Sequence, residues 1–244
     1  MTPDLPGRKP EIALVFDVDW VTDEALELVL RLLNRHGVRA TLFATHRSPL
    51  IDEVVAQGTH EVGIHPNFLP GSTHGDTPER VMDHLLDLFP RARGVRAHQL
   101  VQSTPLHRLL VARNLDYDAT LLLWMWGCSE PFIDWTGLVR IPCTWEDDCH
   151  LDAGLPLAAG ALPLSGEGLH ALVFHPIHIF LNSPSMEFYR GQVARGGATG
   201  ADLPHPGKGI RTVFEEVLVW MTEHNQRGIT CSEIARPLLA DRTG

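Results

Sequence analysis

The stretch EIALVFDVDWVTDEALELVLRLLNRHGVRATLFAT, residues 11–45, decides the fold. Its opening EIALVF is a short apolar run of strand length. Thr22 then stands where a helix cap belongs, with Asp23 and Glu24 in the first turn, where the helix dipole favours acids. Leu26, Val29, Leu30 and Leu33 recur at i, i+3, i+4 and i+7, one face of a helix. Gly37 stops that helix and VRATLFAT resumes as strand. Strand, helix, strand at this spacing is a βαβ unit, whose two strands must run parallel.

The same alternation continues outward. PLIDEVVAQG, TPERVMDHLLDLF and TPLHRLLVARN read as helices, interleaved with the strands HEVGIH and GVRAH. TLLLW, GLVRIP and HALVFH read as further strands. Ile210, Val213, Phe214, Val217, Leu218 and Met221 form the apolar stripe of a long helix. Beyond Gly228, ITC is predicted as a last strand and Ser232 as the cap of a terminal helix. NSPSMEFYRGQVARGGATGADLPHPGKG, rich in Gly and Pro, is read as a long loop. Alternating β and α throughout predicts the α/β class, a deformed (β/α) barrel of about seven strands as one domain over residues 1–244.

Composition narrows the function. With 44% hydrophobic and 20% charged residues, the chain is an ordinary globular one. A formal net charge of -10 repels polyanions, which argues against nucleic acid and anionic membrane surfaces as partners. The four cysteines form no CxxC pair and are expected as reduced thiols. No run reaches the roughly 20 apolar residues of a membrane helix, and the first residues lack the basic-then-apolar order of a signal peptide, so a cytoplasmic protein is expected.

Ionisable residues gather where strands end. Asp17 and Asp19 follow ALVF, His65 follows EVGI, Arg96 and His98 follow GV, and His175 follows a second ALVF. Carboxyl ends of parallel strands share one rim, where active sites lie. On a regular strand Asp17 and Asp19 look the same way, and two like charges so placed call for a positive partner. Two carboxylates with neutral imidazoles suit one divalent ion, Zn2+ first and also Mn2+, Co2+ or Ni2+. His60 begins its strand and so lies at the wrong end, which leaves His65 and His74 as the imidazole candidates. The runs EDD at 146–148 and RAR at 91–93 read as solvated faces.

FDVD, ATLFAT, GTHEVGIHPN, RGVRAH and LVFHPIH, in that order, resemble the NodB-homology polysaccharide deacetylases, carbohydrate esterase family four. The resemblance implies a deformed barrel that hydrolyses an N-acetyl group with one divalent metal. In it, Asp17 matches the general base and Asp19 a metal ligand. Val18 separates acids that are adjacent in the family, so the two roles are exchangeable at this level. His65 matches the first of two ligand histidines; the second has no counterpart at its usual spacing, and His74 is taken in its place. Arg96 matches the arginine that orients the base, with the Gln99 N–H beside it for the oxyanion. CTWEDD stands where a fourth motif falls, with Trp145 lining the pocket and Asp147 or Asp148 steering a histidine. His175 matches the general acid, and Trp20 and Asn67 are candidate substrate contacts. The implied activity is N-deacetylation of an amino sugar or a sugar-containing small metabolite. A non-sugar amide or imide hydrolase and a metal-free glycan-binding barrel are the alternatives.

Overall fold

The computed structural model describes residues 10–164, 166–194 and 204–240. β1 (Pro10–Asp19), α1 (Asp23–His36) and β2 (Ala40–Ala44) form the expected parallel βαβ unit. Thr22 takes the extended conformation of a cap, although its side chain makes no capping bond, and Gly37 closes α1 at φ 61, in the left-handed region that glycine occupies without strain. Next come α2 (Pro49–Gln57), β3 (Glu61–Ile64), α3 (Pro78–Leu88), β4 (Gly94–Val95), α4 (Thr104–Ala112) and β5 (Tyr117–Asp118). Ser48, Thr77 and Ser103 cap α2, α3 and α4 through side-chain oxygens, each followed by Pro in the first turn.

β6 (Phe132–Ile133), β7 (Val139–Arg140), β8 (Trp145–Glu146), α5 (Asp147–Asp152) and β9 (Gly168–Phe174) complete the sheet. α6 (Pro176–Leu181), α7 (Met186–Val193), α8 (Ile210–Glu223) and α9 (Cys231–Ala240) follow. Among the described residues the sheet has nine strands in the order β6-β7-β5-β4-β3-β2-β1-β9-β8, parallel except for the β6–β7 pair. It curls into a barrel whose seam is crossed by single bridges, Leu122 to Cys143 and Ser129 to Leu169. This is the deformed barrel expected from the alternation, with several strands only two residues long.

Side-chain alternation sorts the core into two layers. Ile12, Leu14, Phe16 and Val18 of β1 join the larger apolar cluster, shared with α1, α3 and α8. Ala13 and Val15 face the other way, with Phe43, Tyr117, Val139, Ile141, Ala171 and Val173, and fill the barrel interior. That interior is tight: a Cβ at Gly94 would lie 1.8 Å from the Tyr117 ring. Asp17 is the next odd-numbered residue of β1, so the strand pattern carries it to the mouth of this filled interior.

Three local readings differ. TLLLW enters no ladder beyond Leu122, because it crosses the seam and bonds Cys143 and Thr144 only at alternate residues. ITC is not a strand: Ile229 bonds β1 once, and Thr230 already turns its N–H and hydroxyl to Glu233 as α9 begins. The long Gly- and Pro-rich segment contains α7, started by a Ser185 cap, and its residues 195–203 lie outside the described residues.

Candidate active site

The end of β1 departs from regular pairing. Asp17 stands opposite Phe43 and Asp19 opposite Ala44, so Val18 is the extra residue of a β-bulge. Val18 is fully buried in the outer layer, while Asp19 adopts φ 49. The Thr45 hydroxyl donates to the Asp19 carbonyl and holds the bend. Two acids separated in sequence thus oppose consecutive residues of β2, and both carboxylates stay at the interior mouth.

Asp19 gathers two imidazoles. Its Oδ1 lies 3.2 Å from His65 Nε2 and 3.0 Å from His98 Nδ1, and the two nitrogens are 3.3 Å apart. Ligands roughly 2.0–2.2 Å from a tetrahedral ion sit about 3.3–3.6 Å from one another, so three donors at 3.0–3.3 Å are spaced close to the corners of one coordination shell. Asp17 Oδ1 and Asp19 Oδ1 are buried without hydrogen-bond partners of ordinary geometry, as expected of a donor set shaped for a cation. The chemistry of the set, one carboxylate and two imidazoles, fits Zn2+ and its divalent neighbours. Burial by itself would raise the Asp19 carboxyl, but the imidazoles of His65 and His98 against it hold it well below the usual range. Burial would likewise lower His65, and the charges of Asp17 and Asp19 raise it instead.

His98 takes the place expected of His74. It sits in a one-turn 3-10 helix, His98–Leu100, in which Gln99 and Leu100 have φ 51 and 55, and its N–H donates to the Pro66 carbonyl at 3.0 Å. That turn folds β4's end back over His65. His74 instead accepts the Asn67 N–H through Nδ1 at 3.3 Å and stacks between Trp20 and His84, ring centroids 5.5 and 5.7 Å away. Burial and the neighbouring His84 and His65 push its imidazole down to about 4. The loop returns as anticipated, but it props Trp20 rather than supplying a donor to the cluster. Trp20, half exposed, also meets His98 edge to face at 5.3 Å. Asn67 turns its Oδ1 to the Leu69 N–H, a local turn bond.

Arg96 spans the top of the barrel interior and is wholly buried. Its Nε donates to Asp17 Oδ2 at 2.8 Å, Nη2 to Glu146 Oε2 at 2.7 Å and Nη1 to the Ala119 carbonyl at 2.6 Å. One guanidinium therefore ties β1, β4, β5 and β8 together. Burial opposes its charge, but Asp17 and Glu146 hold its pKa well above the ordinary value. Glu146 is pushed up by burial and pulled back by Arg96.

EDD is not a solvated face. Glu146 and Asp147 are buried, and Glu146 ends β8 as the cap of α5, whose first two residues are Asp147 and Asp148 and which packs against β9 and α7. Asp147 receives the His175 backbone N–H on Oδ2 at 2.8 Å and pairs with His175 Nδ1 through Oδ1 at 2.6 Å. This leaves His175 Nε2 facing Asp17 Oδ2 at 3.8 Å and Asp19 Oδ2 at 4.0 Å. Burial lowers His175, but Asp148 and Asp147 outweigh it and hold the imidazole well above its usual pKa. Asp148 pairs in turn with His178 Nε2. Trp145 lines no pocket: it is fully buried, packs on Phe174 at 4.9 Å and donates Nε1 to His150 at 3.0 Å. Strand pairing with β9 turns its indole into the outer core.

Asp17, Asp19, His65, Arg96 and His175 thus meet at one mouth, as their strand-end positions imply. His98 and Glu146 complete the group unassigned by the motif reading. The signal for His98 was present, since it lies two residues beyond Arg96 at a strand end. Nothing in the pattern distinguishes Glu146 from the acids that follow it.

Residues 14–193 match the WbmS-like polysaccharide deacetylase family, and the chain belongs to it. Among solved structures, a putative polysaccharide deacetylase involved in O-antigen biosynthesis, WbmS of Bordetella bronchiseptica, is 31% identical over 86% of this chain and 90% of its own, with a TM-score of 0.79. The peptidoglycan N-acetylglucosamine deacetylase Bc1960 shares 14% identity over 93% of this chain and 88% of that one, TM-score 0.52. Peptidoglycan deacetylase PdaC of Bacillus subtilis shares 13% over 98% and 95%, TM-score 0.51. These two show a shared fold alone. No curated protein sequence matches. Among the described residues no helix is long and apolar enough to cross a membrane.

Proposed function

We propose that the protein is a metal-dependent hydrolase removing an N-acetyl group from an amino sugar or a sugar-containing metabolite. The observation that carries the reading is that Asp17 and the Nε2 of His175 flank the Asp19–His65–His98 cluster, each anchored from behind by a buried partner. Family membership supports deacetylation of a carbohydrate.

Asp19, His65 and His98 would hold the ion, which when bound supplies Lewis acidity toward the acetamide carbonyl and acidifies a water. Asp17 Oδ1, without an ordinary hydrogen-bond partner, takes the proton of the attacking water, while Arg96 holds Oδ2 and aims the carboxylate. The backbone N–H of Gln99, in the turn beside His98, is the donor assigned to the developing oxyanion. His175 delivers the Nε2 proton to the departing amine. Asp147, fixed on Nδ1, stabilises the imidazolium that carries this proton. Trp20 offers an apolar face beside Asp19 for a sugar ring. The products are acetate and a free amino sugar.

Acetate release from N-acetylhexosamines by the Zn2+-reconstituted protein tests the reading. Asp17→Asn keeps the ion and lowers kcat by at least about a hundredfold, the lower range for a general base. Turnover of cyclic imides without acetate release from sugars assigns the barrel to the other hydrolase class.

A further inference from the structure

A groove of about 450 Å3 opens on the outer side of β3, between α2 and the turn that joins α3 to β4. That volume lies within the roughly 300–1,000 Å3 typical of ligand clefts. Glu61 at the start of β3, Arg93 just before β4 and Ser232 at the start of α9 line it, so it belongs to the amino ends of the strands, away from the catalytic mouth. Its apolar walls are Val55 of α2, Val62 of β3, and Leu88 and Phe89 where α3 closes.

The charges of the wall are matched, with one exception. Arg47 meets Asp52 at 2.7 Å, and Arg93 holds Asp116 through two bonds of 2.7 Å. Glu61 accepts from the hydroxyls of Thr41 and Tyr117 and from both the N–H and the hydroxyl of Ser232, so the start of α9 stabilises its charge. Arg91, on the exposed lip, has no partner among the described residues.

His60 supplies a second unmatched group. It is 6% exposed on the groove wall, with Nε2 3.3 Å from Asn34 Oδ1. Burial, joined by the charge of Arg39, pushes its imidazole below the usual pKa, which favours the neutral ring. With Nε2–H donating to Asn34, the Nδ1 lone pair is left over, and that nitrogen is buried without a hydrogen-bond partner. A buried acceptor with nothing to accept calls for a donor.

We propose that this groove binds a small aromatic or heteroaromatic monoanion, with its ring against Val55, Val62 and Phe89, its anionic group on Arg91 and an N–H or O–H donating to His60 Nδ1. Asp52 and Glu61 nearby disfavour a second negative charge on the ligand. The site stands apart from the deacetylase reading, because no group of the catalytic mouth takes part in it.

Titration of the full chain with 8-anilinonaphthalene-1-sulfonate, which joins fused rings, one N–H and one sulfonate, tests this by calorimetry and fluorescence. N-phenyl-1-naphthylamine, the same skeleton without the sulfonate, is the control. The sulfonate should bind once per chain and about tenfold tighter than the neutral amine, the factor carried by one good hydrogen bond. Arg91→Ala should remove that advantage and leave the affinity of the amine unchanged. His60→Phe, which deletes the acceptor, should weaken both probes about tenfold. Val55→Trp should fill the groove and abolish binding of both. Arg91 and Val55 lie outside the packed core, so these two variants decide the matter even if His60→Phe does not fold. No binding by the wild type, equal affinity for the two probes, an Arg91→Ala variant that keeps the sulfonate's advantage, or binding that survives Val55→Trp overturns the proposal.

Discussion

Arg96 Nε lies 2.8 Å from Asp17 Oδ2, and both side chains are sealed from solvent above the barrel interior. A buried guanidinium with two carboxylates is stable only as a set, since removing one member strands the others in a medium that cannot solvate them. Arg96→Met should therefore lower stability by about 3–5 kcal/mol in urea titration. Glu146→Gln leaves Arg96 with Asp17 and the Ala119 carbonyl, and should lose less. A variant Arg96→Met as stable as wild type removes the guanidinium as keystone of the mouth.

Metal affinity separates His98 from His74. With His98→Ala the donor set falls to Asp19 and His65, and Zn2+ binding by competition with a chelator should weaken by at least about a hundredfold, beyond the 10–100-fold typical of losing an outer-shell partner. His74→Ala disturbs Trp20's support and should change affinity by less than about tenfold. Equal losses in the two variants contradict the assignment.

How far the sequence could show this is visible in the same pair. Continuous apolar runs located β1 and β2, buried on both faces, and the period-3.6 stripe located α1 and α8, buried on one. Strand-end positions located Asp17, Asp19, His65, Arg96 and His175. His98 escaped because its placement depends on two left-handed residues, Gln99 and Leu100, which no pattern of residue types announces. Glu146 escaped, and Asp147 was named only beside Asp148 as a residue steering a histidine, because a run of acids ordinarily stays in water; here Arg96 and His175 supply the partners that permit burial. The two-residue strands carry too few positions to alternate.

Stability should depend on pH in opposite senses with and without metal. In the metal-free chain His65 is raised above 6.5, so its contribution is fully present below about pH 6.5 and is lost as pH rises through the raised value. Asp19, held below 3.8, contributes above that pH and loses its contribution only in stronger acid. With Zn2+ bound, His65 must be neutral, and protons compete with the ion as pH falls. The stability difference between wild type and His65→Asn should shrink from about pH 5.5 to pH 8 in the metal-free protein and grow over that range with Zn2+. Parallel trends in both states exclude His65 as a donor.

Val18 tests the bulge. Asp17 and Asp19 oppose consecutive residues of β2 yet turn their carboxylates the same way, because Val18 takes the intervening outward position. Deleting Val18 makes the two acids neighbours on a regular strand, whose side chains alternate, so Asp19 turns away from His65 and His98 and the ion should be lost. The cost in stability is the burial of one valine, about 1.5–3 kcal/mol, offset in part by relief of the left-handed backbone at Asp19. Val18→Ala keeps the spacing and should bind Zn2+ within about tenfold of wild type. If the deletion variant folds and still binds the ion within that range, the bulge is not what aims Asp19.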